Sequence, residues 1–154
     1  MCDSSIDTRK HIEEVQYNIR TGVAYLEKLA LYHDQSKLES PEKEMFDLYV
    51  MRLAGLVYGS DGYKAVLKEM GPALQHHYQS NLHHPEHYKD GISGMSLLVL
   101  FEMLADWRAA SLRHAAGNFR ESLEINKKRF GISSQLFDIL ENTARELGWL
   151  GPNA

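Results

Sequence analysis

Leu97-Leu98-Val99-Leu100-Phe101-Glu102-Met103-Leu104-Ala105-Asp106-Trp107 is apolar at nine of its eleven positions and carries its two charges four residues apart. Wound at 3.6 residues per turn, the segment places Glu102 and Asp106 on one face and leaves apolar side chains nearly all round it. A carboxylate among such neighbours is costly unless it is paired or bound to a metal. The segment therefore reads as a core helix with an inward-facing acidic site; the competing reading is a solvated face with Arg108 and Arg113 as partners. The helix is expected from Met95 to about His114, with Gly117 just past its end.

The same helical spacing extends in both directions, and no long run alternates with period two. Asp7 or Thr8 can cap a first helix whose inner stripe is Ile12, Val15, Ile19, Val23, Leu26 and Leu29, running to about His33 or beyond. Ser40-Pro41-Glu42 is expected to open a second helix, serine as cap and proline in the first turn. It carries Met45, Phe46, Leu48, Tyr49 and Leu53 and ends near Gly59-Ser60-Asp61-Gly62. A third begins around Tyr63, is interrupted at Gly71-Pro72, and resumes from Ala73 to Tyr78. Asn81 to Gly94 reads as an ordered loop. Glu121 to Phe130 and Ser134 to Leu147 form a closing pair broken at Gly131-Ile132-Ser133 and stopped by Gly148. The expected fold is all-α: residues 1–154 as a single compact helical domain of five to seven helices.

Composition narrows the function classes. The chain has 154 residues, 25% charged and 44% hydrophobic, with a formal charge of -4. No global field draws it to duplex nucleic acid or an anionic membrane. The longest apolar run, Leu97 to Phe101, is far below a membrane span. Cys2 is the single cysteine, so no intrachain disulfide forms, and the polar N-terminus is unlike a signal peptide. A cytoplasmic location is expected, and a homodimer is left open.

The histidines point to chemistry. Five of the eight fall between His76 and His87, and His33 is followed directly by Asp34. Imidazole and carboxylate donors together suit Zn, Fe or Mn rather than Mg or Ca, one or two ions. Candidate ligands are His33, Asp34, His83, His84 and Asp106, with His77 (or His76) adding one from the preceding helix. Pro85 disfavours helix at His83-His84 and fixes that pair on a constrained loop. His76, His87 and His114 are expected to stand outside the site.

These residues resemble the HD superfamily of metal-dependent phosphohydrolases. His33-Asp34-Gln35-Ser36-Lys37 resembles the His-Asp-x-x-Lys pattern of those enzymes. His83-His84-Pro85-Glu86-His87-Tyr88-Lys89-Asp90-Gly91 is similar to a segment of the cyclic-dinucleotide phosphodiesterase branch, without the Gly-Tyr-Pro that marks that substrate. Asp106 matches the late aspartate. The chain also resembles a family of small HD-like proteins of bacteria and phages, in His11, His77-Tyr78-x-x-Asn81-x-His83-His84-Pro85-Glu86, Glu102-Met103-x-x-Asp106-Trp107 and Ser122-Leu123-Glu124-Ile125-Asn126-Lys127-Lys128-Arg129-Phe130. The resemblance implies an all-α HD-like fold. The superfamily's first metal histidine lies upstream of the His-Asp pair, where His11 is the candidate. His11 and His33 are 22 residues apart, about 33 Å in an unbroken helix. Either the chain turns near Thr21-Gly22 or His11 stands outside the site; the second is favoured.

The implied activity is that of an enzyme, a phosphatase or phosphodiesterase acting on a nucleotide or other small phosphate ester. The metal would activate water as hydroxide and polarise the phosphoryl group. Lys37 would neutralise a non-bridging oxygen, and Glu86 or Asp34 would orient the water or accept its proton. Asn81, Arg108 and Arg129 are the expected substrate contacts, Arg113 a further clamp, and Tyr78, Tyr88 and Trp107 candidates for stacking on a base. Two other functions fit the same residues: an HD-like di-iron oxygenase, and a non-catalytic nucleotide- or ligand-binding protein.

Overall fold

The computed structural model describes residues 4–57, 59–113 and 117–151. Cys2 and His114 lie outside them. Among the described residues there are six α-helices, three short 3-10 turns and no strand, and no helix is long and apolar enough to cross a membrane. The chain divides into two compact units, residues 1–32 and 33–154.

The first unit holds one helix, α1 (Ser5–Tyr32). It starts two residues ahead of Asp7, which sits in its first turn. The helix is continuous through Gly22, so the turn near Thr21-Gly22 that would have carried His11 back is absent. His11 lies about 32 Å along it from Tyr32. The stripe expected to face inward, Ile12 to Leu29, runs along α1, but taken by itself the helix buries none of its residues.

The second unit begins with His33-Asp34, where the helical path stops. Asp34 adopts the left-handed conformation (φ 56°, ψ 16°), which Asp tolerates better than most residues. A 3-10 turn, Gln35–Leu38, follows. A helix continued past His33 would have set His33 and Lys37 one turn apart on one face, and the turn replaces that arrangement. Lys37 instead folds back, its ammonium donating to Asp34 Oδ2 at 2.5 Å.

The next two helices are α2 (Glu42–Ala54) and α3 (Asp61–Ser80), which pack on each other and on the Gln35–Leu38 turn. Ser40 is not the cap of α2; Pro41 occupies that position without a side-chain hydrogen bond. Ser60 caps α3 by accepting from the Tyr63 amide. Gly71 (φ 27°, ψ −99°) breaks the helical path of α3 just before Pro72, whose ring cannot be accommodated in a regular helix. Val66, Met70 and Ala73 are buried on this side. The Asn81–Gly94 segment contains two 3-10 turns, Pro85–His87 and Gly91–Gly94. A Cβ at Gly94 would meet that of Tyr88 at 2.9 Å, so the chain passes too close there for any side chain.

Then come α4 (Leu97–Ser111), α5 (Phe119–Phe130) and α6 (Ser134–Glu146). Ser96, Asn118 and Ser133 cap them through side-chain oxygens. Gly131 and Gly148 take positive φ after α5 and α6. Leu100, Met103, Leu104 and Trp107 of α4 pack with Phe119, Leu123, Phe137, Leu140 and Ala144 in the main hydrophobic core. Each fully buried large side chain contributes roughly 1.5–3 kcal/mol. Glu102 and Asp106 lie roughly 130° round α4 from that face. One helix thus anchors the core on one side and offers two carboxylates on the other.

Candidate metal centre

Two overlapping groups of ligand-type side chains sit where the Gln35–Leu38 turn, α3, the His83-His84 loop and α4 meet. One is Asp34, His77, His83 and His84; the other is His33, Asp34, His83 and Asp106. In each, one donor atom per residue lies within 4.8 Å of all the others. The union is the six residues read from the sequence as ligands, and Asp34 and His83 belong to both. His11 belongs to neither.

The geometry suits an ion. Asp34 Oδ1 is 3.5 Å from both His77 Nε2 and His83 Nε2. Ligands about 2.1 Å from a tetrahedral ion stand about 3.4 Å from one another. Asp34 Oδ1 and both ring nitrogens of His83 are buried without a hydrogen-bond partner. Buried polar atoms nearly always have one, so an orphaned carboxylate oxygen facing an orphaned imidazole nitrogen marks a place that could hold a metal ion. The donor set could hold a metal ion in that place. His33 Nε2 is 3.6 Å from Asp34 Oδ2 and 3.7 Å from Asp106 Oδ1, and His77 Nε2 is 2.8 Å from His84 Nε2.

Carboxylates stand behind the imidazoles. Glu102 Oε1 accepts from His33 Nδ1 at 3.0 Å and lies 3.3 Å from His83 Nδ1, off hydrogen-bond geometry. Glu42, read in the sequence only as the start of a helix, is fully buried and meets Nδ1 of both His76 and His77. Nothing in its spacing distinguishes it from an ordinary first-turn acid. His76 and His87 are in neither group; His87 Nδ1 donates to the Tyr78 carbonyl.

The other sequence candidates are placed as follows. Asn81 is buried, and its amide donates to Ser36 Oγ and the His77 carbonyl, bracing the ligand segment. Glu86 and Arg129 pair with each other at 2.7 Å. Arg108 lies over the Phe119 ring and Arg113 is exposed. Trp107 is buried and stacks on Phe130, Tyr78 packs beside His84, and Tyr88 beside His87.

Charge is set by burial and neighbours. Asp106 on one nitrogen and Glu102 on the other raise His33 from 6.5 to about 10. Burial, with His83 and His77 beside it, lowers His84 to about 3. Burial also lowers His77, and Lys37 adds to this. Burial alone would raise the Asp106 carboxyl, but His33, His83 and Lys37 outweigh it and hold the group at about 2. Burial opposes ionisation of Asp34 too, and there Lys37 prevails and lowers it.

Two expectations follow for solution behaviour. In the metal-free protein the His33 contribution is complete below pH 6.5 and is lost as pH rises through about 10. His84 acts oppositely: between pH 6.5 and about 3 the unfolded chain binds a proton that the folded one refuses, so stability falls on acidification. Urea midpoints of metal-free protein should peak near pH 6.5, and a midpoint rising steadily from pH 6.5 to 9 would contradict the His33 environment. His11→Ala should retain the metal bound by wild type, because α1 is unbroken and His11 is in neither ligand group; loss of metal equal to that of His33→Ala would refute this.

No curated protein and no solved structure matches the chain. A family model described as a family of unknown function (DUF5662) matches residues 3–146, and the chain belongs to that family.

Proposed function

We propose that the protein is a metal-dependent phosphohydrolase of the HD type, acting on a nucleotide or another small phosphate ester. The observation that carries this reading is the buried contact of Asp34 Oδ1 with His83, whose nitrogens lack partners, inside two ligand groups. His33, Asp34, His83 and Asp106 would hold one ion; His77 and His84, sharing Asp34, would complete a second. A bound Fe, Mn or Zn ion supplies Lewis acidity and makes water acidic enough to lose a proton near neutral pH.

The chain's own groups do the rest. Lys37 has three donors, one of them on Asp34; the others suit a non-bridging phosphate oxygen. Glu102 holds the His33 ring by Nδ1, leaving Nε2 towards Asp34 and Asp106. Asp34 and Asp106, both held ionised, are the groups placed to accept a proton from water.

The test is elemental analysis of purified protein, then phosphate release across linear and cyclic nucleotides, with and without oxygen. One or two transition-metal ions and oxygen-independent release are expected. Less than about 0.1 equivalent of metal after reconstitution would overturn the reading, since burial keeps the His77 and His84 imidazoles neutral and such imidazoles bind these ions readily near pH 7. Turnover only with oxygen would instead support an oxygenase, and ligand retention without turnover a binding protein.

A further inference from the structure

Glu42 has no exposed surface, and an ionised carboxylate survives in such a place only when its lone pairs are met. They are met by three groups. Ser36 Oγ donates to Oε2 at 2.9 Å, His77 Nδ1 lies 2.8 Å from the same oxygen, and His76 Nδ1 lies 2.7 Å from Oε1. Glu42 is in neither candidate ligand group. Its relation to the centre runs through His77, which is itself buried and presents Nε2 to Asp34 and His84.

A carboxylate accepts and cannot donate, so the proton of a neutral His77 belongs on Nδ1. That leaves the lone pair on Nε2, the atom 3.5 Å from Asp34 Oδ1. Two neighbours argue for the reverse. Asp34 Oδ1 is an acceptor facing Nε2, but at 3.5 Å it makes no hydrogen bond, whereas Glu42 stands at 2.8 Å from Nδ1. Asn81 Nδ2 is 3.0 Å from the same Nδ1 and, as a donor, would favour a proton on Nε2. The Asn81 amide has better acceptors in Ser36 Oγ and the His77 carbonyl, both at 2.8 Å. Ser36 completes the arrangement, accepting from Asn81 while donating to Glu42.

We infer that Glu42 is a positioning residue of the metal centre, fixing His77 as the Nδ1–H tautomer with Nε2 aimed at the ion. The inference rests on the metal reading above for its purpose, and on geometry alone for the tautomer. What the tautomer asks for is an acceptor at Oε2. Glutamine can keep one there by turning its NH₂ towards His76, which is exposed and can carry its own proton on Nε2, so the informative change removes both oxygens. Partners of this kind behind a ligating histidine are typically worth 10–100-fold in metal affinity.

The test uses the full chain. In metal-free wild type, long-range ¹⁵N–¹H NMR should show His77 protonated on Nδ1; a proton on Nε2 overturns the inference, and this arm needs no variant. In Glu42→Leu, which leaves no acceptor at Nδ1, the zinc Kd measured by chelator competition on folded protein should weaken roughly 10–100-fold, and the His77 signal should leave the pure Nδ1–H form. A purely structural Glu42 would lower Tm while leaving both the zinc Kd and the tautomer unchanged, and that result also overturns the inference. Wild type that binds no zinc overturns the metal reading, with the tautomer measurement still deciding whether Glu42 orients His77.

Discussion

Asp34→Ala is expected to strip the protein of bound metal and to lower phosphate release by orders of magnitude, with the helical circular dichroism largely kept. Asp34 is the one carboxylate common to both ligand groups. Its Oδ1 faces His77 and His83 while Oδ2 is held by Lys37. Truncation removes a donor from each group and releases the lysine into the site. Deleting a ligand either loses the ion or misplaces its water, and such effects appear in kcat rather than as a modest change in stability. Alanine also fits poorly at φ 56°, which adds about 1 kcal/mol of backbone cost. Asp34→Asn separates the two effects, because asparagine tolerates the left-handed conformation. Both variants should lose metal, and Asp106→Ala should lose phosphate release as well. Folded, metal-loaded Asp34→Asn with near-normal turnover would remove Asp34 from the centre and, with it, most of the case for hydrolysis.

Much of the fold was legible because helix punctuation is local. Gly131 and Gly148 stand where φ turns positive, Ser133 where α6 is capped, and Gly71-Pro72 where α3 is broken. Ser96 caps α4, although the sequence starts that helix at Met95. The start of α2 was misread because Ser40 and Pro41 have the right composition for a cap but do not adopt its geometry. The end of α1 was harder, since nothing in Tyr32-His33-Asp34 announces a left-handed residue. That single dihedral turns Lys37 back onto Asp34.

The candidate ligands were legible for another reason: His33-Asp34, His83-His84 and Asp106 are chemically conspicuous against apolar or loop surroundings. Their supporting groups were not. The i, i+4 spacing of Glu102 and Asp106 assigns them to one face of α4 without saying that His33 lies opposite. Glu42 was invisible because its role depends on α2 packing against α3 beside His76 and His77, a tertiary fact with no local signature. Glu86 and Arg129 were assigned separate roles, but lie 43 residues apart in a mutual ion pair.

The core of the second unit bears directly on the centre, and Leu104→Ala should show it. Leu104 has no exposed surface and sits among Leu123, Phe137 and Leu140. Removing a buried leucine side chain costs about 2–5 kcal/mol through lost transfer free energy and the cavity left behind. Set against a total of roughly 5–15 kcal/mol for a domain, that is a large fraction. The exposed Leu97, at the start of the same helix, and Leu112, just past its end, are the controls, and their alanine variants should stay within about 0.5 kcal/mol of wild type. An ion held by the folded chain should counteract the lesion by mass action. An ion that binds only the folded state at 100 times its Kd restores about 2.7 kcal/mol. Denaturant titrations of metal-free Leu104→Ala should therefore show the full loss, and metal-saturated protein should recover a comparable amount. A Leu104→Ala variant as stable as wild type would contradict the packing of α4 against α5 and α6. A variant destabilised as expected but indifferent to metal would mean that no ion binds the folded chain in preference to the unfolded one, and the metal reading would fall.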